Sequence, residues 1–144
     1  MNLEETYAIV TGGASGLGEA TVRAIISGGG KVAILDMDSI RGNELVHELG
    51  TSAIFCKTDV TNEGDVKSAI EKTIETFGKL NVAMNFAGIA IAVKTIGRDG
   101  PHDLDLYRKV VDVNLNGTFN VSRLAAEYIS KKLLTSFYRM LILL

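Results

Sequence analysis

A glycine-rich segment near the amino terminus has the residue types and spacing needed to bind an anion. Residues 11–18 read TGGASGLG, with the spacing Gly-x-x-x-Gly-x-Gly. Residues without a Cβ allow a sharp turn and the close approach of a bulky group, and a helix that begins here would offer N–H groups to a phosphate. No Gly-Lys-Ser/Thr follows, which excludes a Walker loop. A glycine-rich turn without a ligand is the alternative to a phosphate-binding loop formed by Gly12, Ser15, Gly16, Leu17 and Gly18.

A carboxylate follows at the end of the second apolar run of the chain. Asp36 lies eighteen residues after Gly18, close to the separation of about 20 residues at which dinucleotide-binding proteins place an acid for the ribose hydroxyls. A carboxylate there would repel a 2′-phosphate, and neither Ser15 nor Met37 supplies a cation to receive one. We therefore expect NAD rather than NADP, with Asp36 and Met37 beside its ribose. The alternative is a solvated aspartate at a strand end.

The elements that must position these residues alternate between strands and helices. The hydrophobic pattern predicts strands over 7–10, 31–36, 53–56 and 80–86, and helices over 18–27, 40–49, 61–77 and 103–134. Gly50 and Gly78 are expected to cap two of these helices, and residues 90–102 to form a loop. Strands that are apolar on both faces belong in a parallel sheet covered by helices. The expected fold is therefore α/β, a Rossmann-type doubly wound parallel sheet in three layers.

Composition limits the classes of protein to which the chain can belong. Its 144 residues suit one domain, and 47% hydrophobic and 22% charged residues indicate a globular, soluble, intracellular chain. A net charge of −2 without a basic run argues against nucleic acid or an anionic membrane as a partner. No apolar run approaches the ~20 residues that span a bilayer. Residues 1–5 show no signal or transit peptide, which taken at face value predicts a cytoplasmic protein. We expect no metal site, since His47 and His102 lack neighbouring ligands, and we expect Cys56 to be a core residue.

Five ordered motifs resemble those of the short-chain dehydrogenase/reductase family, over residues 6 to about 130. They are the loop 11–18, Asp36, Asp59-Val60, the string NFAG at 85–88, and Asn114. The resemblance implies an NAD-dependent oxidoreductase that transfers a hydride between NAD and a secondary alcohol or ketone. The strings at 85–90 and 112–121 look most like the subgroup that acts on 3-hydroxyacyl-CoA esters and hydroxysteroids, in mitochondrial fatty acid and steroid metabolism.

The resemblance also implies roles for individual residues. Asp59 would bind the adenine amino group, and Val60 would supply a backbone contact. Asn85, Ala87 and Gly88 would line the ribose and nicotinamide side. Asn114 would be a catalytic residue that holds a water in a proton relay. Asn114 interrupts an apolar stripe, so we expect a buried amide with satisfied hydrogen bonds; a structural asparagine bonded to backbone is the alternative, and the two are compatible.

The family's catalytic serine and its Tyr-x-x-x-Lys pair follow a fifth strand, whereas this chain ends thirty residues after Asn114. Tyr128 and Lys132 match the tyrosine pattern formally. However, a tyrosine fourteen residues beyond Asn114 on one helix lies about 21 Å further along it. We therefore expect Tyr128 to pack on the sheet or against a helix.

The last fourteen residues do not resemble the family. We expect residues 1–130 to form the NAD-binding domain, with a sheet that is incomplete at its C-terminal side. Residues 131–144 are expected to form an atypical apolar tail that does not match the family's loop and fifth strand and could be a strand or the end of a helix. On this hypothesis the chain is a C-terminally truncated product that is inactive alone. A non-catalytic NAD-binding or dimerising fragment, which regulates a full-length partner or forms a homo-oligomer through helix 103–134, is the second hypothesis. A Rossmann methyltransferase is disfavoured by the glycine spacing.

Overall fold

The computed structural model describes residues 2–98, 100–133 and 141–143. Strands and helices alternate along the chain, as the hydrophobic pattern predicts. The strands are β1 (Tyr7–Thr11), β2 (Lys31–Asp36), β3 (Ala53–Lys57), β4 (Val82–Asn85), β5 (Ile96–Gly97), β6 (Gly100–Pro101) and β7 (Leu141–Leu143). The helices are α1 (Gly16–Ser27), α2 (Ser39–Leu49), α3 (Glu63–Phe77), α4 (Leu104–Val111) and α5 (Thr118–Leu133), with a π-helical segment, Asp112–Gly117, between the last two.

Five strands form one parallel sheet in the order β3-β2-β1-β4-β7. The centre of β1 is fully buried, because Ala8, Ile9 and Val10 are enclosed on both faces. β2 and β3 lie on one side of β1, whereas β4 and β7 lie on the other, so the strand order reverses between β1 and β4. In such sheets a crevice opens at the carboxyl ends of the strands at the reversal point. The predicted doubly wound α/β fold is confirmed.

Helices cover both faces of the sheet, and each face has its own core. Alternate residues of one strand point to opposite faces, so Ile9 joins the cluster under α3 and α5, whereas Val10 joins the cluster under α1 and α2. The predicted glycine caps are confirmed, since Gly50 follows α2 and Gly78, in the left-handed region, follows α3. None of the described helices is long and apolar enough to cross a membrane.

Two predictions about the second half of the chain need correction. The helix expected over 103–134 is divided by the π-helical segment 112–117, and the loop expected over 90–102 contains the two-residue strands β5 and β6. Of the two forms left open for the apolar tail, Leu141–Leu143 adopts the strand and pairs with β4 in parallel. The physical reason is that the outer edge of β4 presents unpaired backbone groups, which an apolar segment can satisfy. Residues 134–140 and 144 of the expected tail lie outside the described residues.

Candidate functional site

The glycine loop leaves β1 and crosses directly over the segment that follows β4. Gly12 has a φ of +62°, and a Cβ there would lie 2.8 Å from the Ala87 nitrogen and 2.8 Å from the Phe86 carbonyl carbon. A Cβ on Gly18 would overlap the Gly12 carbonyl. Both positions therefore need glycine for close backbone packing, which brings the start of α1 against the end of β4.

The amino terminus of α1 is open toward solvent. Ser15 is its N-cap residue, and the Ser15 side chain makes no capping hydrogen bond. Gly16 has a φ of +54°, and no heavy atom lies within 4 Å of where its Cβ would be. The N–H groups of a helix's first turn have no partner within the helix and attract anions. The space in front of Gly16 thus suits a phosphate.

Asp36 is held at the end of β2 by two backbone N–H groups. Its Oδ2 accepts a hydrogen bond from Ala14 N at 3.0 Å, and its Oδ1 accepts one from Asp38 N at 3.0 Å. Each carboxylate oxygen can accept a second hydrogen bond. The carboxylate therefore has a fixed orientation beside the glycine loop and retains capacity for a ligand's hydroxyl groups.

The segment after β3 is anchored to α5. The buried Asn120 donates a hydrogen bond from Nδ2 to the Val60 carbonyl at 2.9 Å. A Cβ on Gly117 would lie 3.1 Å from the Val60 Cβ, so glycine lets the helical segment approach closely. Asp59 accepts hydrogen bonds from the backbone and hydroxyl of Thr61 at 2.9 and 2.7 Å. Residues 58–60 consequently form a fixed wall opposite the glycine loop.

Thr11 ties the end of β4 to the end of β1. Its buried hydroxyl oxygen accepts from the backbone N–H groups of Phe86 and Ala87, both at 3.2 Å. Asn85 is the last residue of β4, and its Nδ2 donates to the Ser122 hydroxyl at 3.3 Å. The side chain of Asn85 is thus engaged with α5, whereas Ala87 and Gly88 face the cavity.

Asn114 lies in the π-helical segment and is bonded to the loop after β4. Its Nδ2 donates to the Ile89 carbonyl at 2.9 Å, and its Oδ1 accepts from the Ile89 N–H at 2.8 Å. Its backbone carbonyl accepts from the Thr118 hydroxyl at 2.7 Å. The expectation of a buried amide is wrong, because Asn114 is exposed; its hydrogen bonds are satisfied by backbone, as the structural alternative required.

These elements enclose one cavity of about 630 Å³ at the carboxyl edge of the sheet. Eleven of the twelve residues predicted to bind a cofactor line it, and the exception is Asn85: the eleven are Gly12, Ser15, Gly16, Leu17, Gly18, Asp36, Met37, Asp59, Val60, Ala87 and Gly88. Six further residues complete the lining: Leu35, Thr58, Phe86, Ile89, Lys109 and Val113. Five of these adjoin predicted site residues, Val113 being next to Asn114. Lys109 could have been found only from its four-residue spacing to Val113.

Tyr128 and Cys56 lie in the interior, away from the cavity lining. Tyr128 is half-buried against the core under α3 and α5, as predicted, and its buried hydroxyl has no hydrogen-bond partner among the described residues. Cys56 is buried, also as predicted, and desolvation raises the pKa of its thiol. A thiol with a raised pKa is a poor nucleophile. No group of three potential metal-ligating side chains occurs within residues 2–98, 100–133 and 141–143.

Comparisons with known proteins give the same architecture and a family. The short chain dehydrogenase profile matches residues 6–133. The 3-hydroxyacyl-CoA dehydrogenase type-2 of Drosophila melanogaster is 41% identical over 126 residues, which cover 86% of this chain and 49% of the relative.

Two solved structures share the fold. One, 3-hydroxyacyl-CoA dehydrogenase type-2 from Mycobacterium avium, has a TM-score of 0.82 at 43% identity over 88% of this chain and 50% of its own. The other, 3-ketoacyl-(acyl-carrier-protein) reductase from Brucella melitensis complexed with NADH, has a TM-score of 0.88 at 28% identity over 97% of this chain and 56% of its own. The chain spans about half the length of the curated relatives it matches. Because the family profile covers nearly all of the chain and the fold agrees with it, the chain belongs to the short-chain dehydrogenase family.

Proposed function

We propose that this chain binds NAD in the cavity at the carboxyl edge of the sheet. The observation that carries the proposal is that the open amino terminus of α1 and the fixed carboxylate of Asp36 line the same cavity. The first of these groups suits a pyrophosphate and the second suits ribose hydroxyls. The volume of about 630 Å³ lies within the range of cofactor sites. The residues present therefore fit a dinucleotide.

On this proposal, each wall of the cavity binds a different part of NAD. The N–H groups of Gly16, Leu17 and Gly18 hold the pyrophosphate, with Gly12 and Ser15 completing the loop. Asp36 accepts from the ribose hydroxyls and disfavours a 2′-phosphate, beside Met37. Asp59 and Val60 contact the adenine, and Ala87 and Gly88 contact the nicotinamide side. Asn85 does not line the cavity; its hydrogen bond to Ser122 would hold the end of β4 against α5.

We propose that the protein to which this chain belongs is an NAD-dependent oxidoreductase acting on a secondary alcohol or ketone. NAD, when bound, supplies the hydride acceptor. The relatives' names favour a 3-hydroxyacyl-CoA or hydroxysteroid substrate. Asn114 would hold a water of the proton relay, and its bonds to Ile89 would fix the position of that water. Asn114 is not itself a lining residue of the cavity; the support for this assignment is that its bonded partner, Ile89, and its neighbour, Val113, both line it.

We expect the 144-residue chain alone to bind the cofactor without turnover. The only Tyr-x-x-x-Lys pattern in the sequence begins at Tyr128. Tyr128 packs against the core and is not among the residues that line the cavity. A tyrosine that acts as an acid or base must reach the reacting group within hydrogen-bond distance. Its position therefore does not suit that role.

A thermal melt of the purified chain with NAD, NADP and ADP-ribose tests the binding proposal. Ligand at one hundred times its Kd adds about 2.7 kcal/mol to the free energy of unfolding. We expect NAD and ADP-ribose to raise the Tm, and NADP to raise it much less. An unchanged Tm at millimolar NAD would disprove cofactor binding by this chain. A separate assay with NAD and a hydroxyacyl-CoA tests the expected lack of turnover.

An exposed apolar stripe supports a second candidate function, self-association. The stripe consists of four apolar side chains between residues 104 and 119 that are each more than half exposed: Leu104, Tyr107, Leu115 and Phe119. The charges beside these residues have both signs, Arg108 and Lys109 with Asp105 and Asp112, so a second copy in antiparallel orientation could complement them. We propose a second copy as the occupant. Sedimentation at increasing concentration should show a dimer that Leu115→Glu disrupts, and a wild-type monomer at all concentrations would disprove it.

A further inference from the structure

One cation lines the cavity and has no role in the family pattern described above. Lys109, in the last turn of α4, is exposed and contributes to the cavity wall. The other charged lining residues are Asp36 and Asp59, so Lys109 is the only cationic side chain in the described lining. Its neighbour Arg108 pairs with Asp105 at 2.9 Å. Lys109 forms no ion pair with any residue that the structure describes.

The helical segment that follows Lys109 is fixed against Val60. Lys109 and Val113 are four residues apart, and both line the cavity. Gly117 packs on Val60, and Val113 lines the cavity. The Asn120–Val60 hydrogen bond of 2.9 Å secures the same contact from the next turn. Lys109 therefore lies at the margin of the cavity, one turn before the lining residue Val113.

The negative charges of the cavity lining indicate what a cation at residue 109 could do. Two carboxylates, Asp36 and Asp59, line a cavity that we propose to hold an anionic dinucleotide, and like charges repel an incoming anion. A cation at the rim offsets that repulsion and raises the local concentration of an anionic ligand. The flexible stem of a lysine allows its ammonium group to follow a phosphate.

We propose that Lys109 is a further ligand-binding residue of this cavity, and that its ammonium group attracts and holds the phosphate charge of the dinucleotide. This inference rests on the proposed NAD binding. It predicts that affinity depends on the charge of residue 109 and on ionic strength. It also predicts that a ligand without phosphate is indifferent to that charge.

Calorimetric titration of the full 144-residue chain tests the inference. The ligands are NAD, ADP-ribose and uncharged adenosine, in low salt of about 25 mM and in about 300 mM salt, where screening is strong. Lys109→Gln removes the charge and Lys109→Arg keeps it. Arg108→Gln is the matched control, since Arg108 is the adjacent cation and lies outside the cavity lining. Circular dichroism verifies that each variant is folded.

We expect Lys109→Gln to weaken NAD and ADP-ribose binding about two- to fivefold in low salt, as for an exposed charge pair. The difference should shrink in high salt, adenosine binding should be unchanged, and Lys109→Arg and Arg108→Gln should match the wild type. Equal NAD affinity of wild type and Lys109→Gln in low salt overturns the inference alone. An equal loss of NAD affinity in Arg108→Gln also overturns the inference, as does an equal loss of adenosine affinity in Lys109→Gln. A folded wild-type chain that binds none of the ligands overturns the proposed function as well.

Discussion

The side chain of Asn114 pairs with both backbone groups of Ile89, accepting from its N–H at 2.8 Å and donating to its carbonyl at 2.9 Å. A Cβ on Gly88 would lie 3.4 Å from the Asn114 Oδ1, so the amide also packs on the preceding residue. Asn114 belongs to the π-helical segment, and Ile89 lines the cavity. This pair therefore couples the helix irregularity directly to the cavity wall.

Replacing Asn114 should loosen that wall. Asn114→Ala removes two hydrogen bonds, and because the site is exposed we expect a loss of about 0.5–1.5 kcal/mol in the free energy of unfolding. We also expect a smaller NAD-induced rise in Tm. Asn116→Ala is the control, because Asn116 lies in the same segment and bonds only Asp112. Denaturant melts measure both, and equal effects of the two variants would contradict the coupling.

Gly16→Ala should separate ligand binding from stability. A positive φ at a residue with a side chain costs about 1–2 kcal/mol, and the free chain has space for the methyl group. The methyl group would, however, occupy the space in front of the amino terminus of α1. We expect a modest fall in Tm and a loss of most of the NAD-induced shift.

Gly78→Ala is the matched control for that experiment. Gly78 has a φ of +79° and equal free space, but it caps α3 away from the cavity lining. This variant should lower the Tm similarly and keep the full NAD shift. If it loses the shift as well, the effect of Gly16→Ala is one of general stability.

Gly12→Ala should impair folding itself. Its Cβ would lie 2.8 Å from two backbone atoms of the Phe86–Ala87 segment, in addition to the strain of a φ of +62°. Overpacking and strain together predict a loss of about 2–5 kcal/mol in the free energy of unfolding. Urea unfolding measures this, and a loss no greater than that of Gly16→Ala would argue against the close backbone crossing.

Asp36→Asn should shift the preference between the two nicotinamide dinucleotides. The amide removes the negative charge that repels a 2′-phosphate, and for a partly exposed group we expect a change of about 1–2 kcal/mol, roughly 5- to 30-fold in the ratio of the NADP and NAD Kd values. Asp38→Asn is the control, since Asp38 caps α2 and does not line the cavity. Competitive titration with both ligands measures the ratio. An unchanged ratio would show that Asp36 does not face the ribose.

Acid should weaken the connection between α3 and α5. Hydrogen bonds from Lys67 and then Arg123 hold the pKa of Glu63 below its usual 4.5. A lowered folded-state pKa contributes stability that is complete above the unfolded-state pKa and is lost as the pH falls through the folded value. Glu63→Gln should therefore have a slightly lower Tm than wild type at pH 7, and the difference should vanish at acid pH. Glu71→Gln, on the same helix without an ion pair among the described residues, is the control and should leave the Tm at pH 7 unchanged.

The sequence by itself determined the parallel sheet, the glycine loop and the place of Asp36. These features depend on local patterns, because apolar runs, glycine spacing and the distance between strand ends are properties of neighbouring residues. The carboxyl ends of parallel strands meet at one edge of a sheet, so residues 12–18, 36 and 59 could be brought together by topology alone. The predicted roles of these residues toward NAD stay predictions.

Only the tertiary structure decided what Asn114, Lys109 and β7 do. The partner of Asn114 is a backbone group twenty-five residues earlier in the chain, and Lys109 lines a cavity most of whose wall comes from residues 12–89. The π-helical segment reflects a change in backbone hydrogen bonding that hydropathy does not encode. The place of Leu141–Leu143 depends on the open edge of β4, a strand more than fifty residues away. The bonds of Asn114, the position of Lys109 and the pairing of β7 all depend on segments that are distant in sequence. Local patterns cannot predict such contacts, because they form only when the folded sheet brings the segments together.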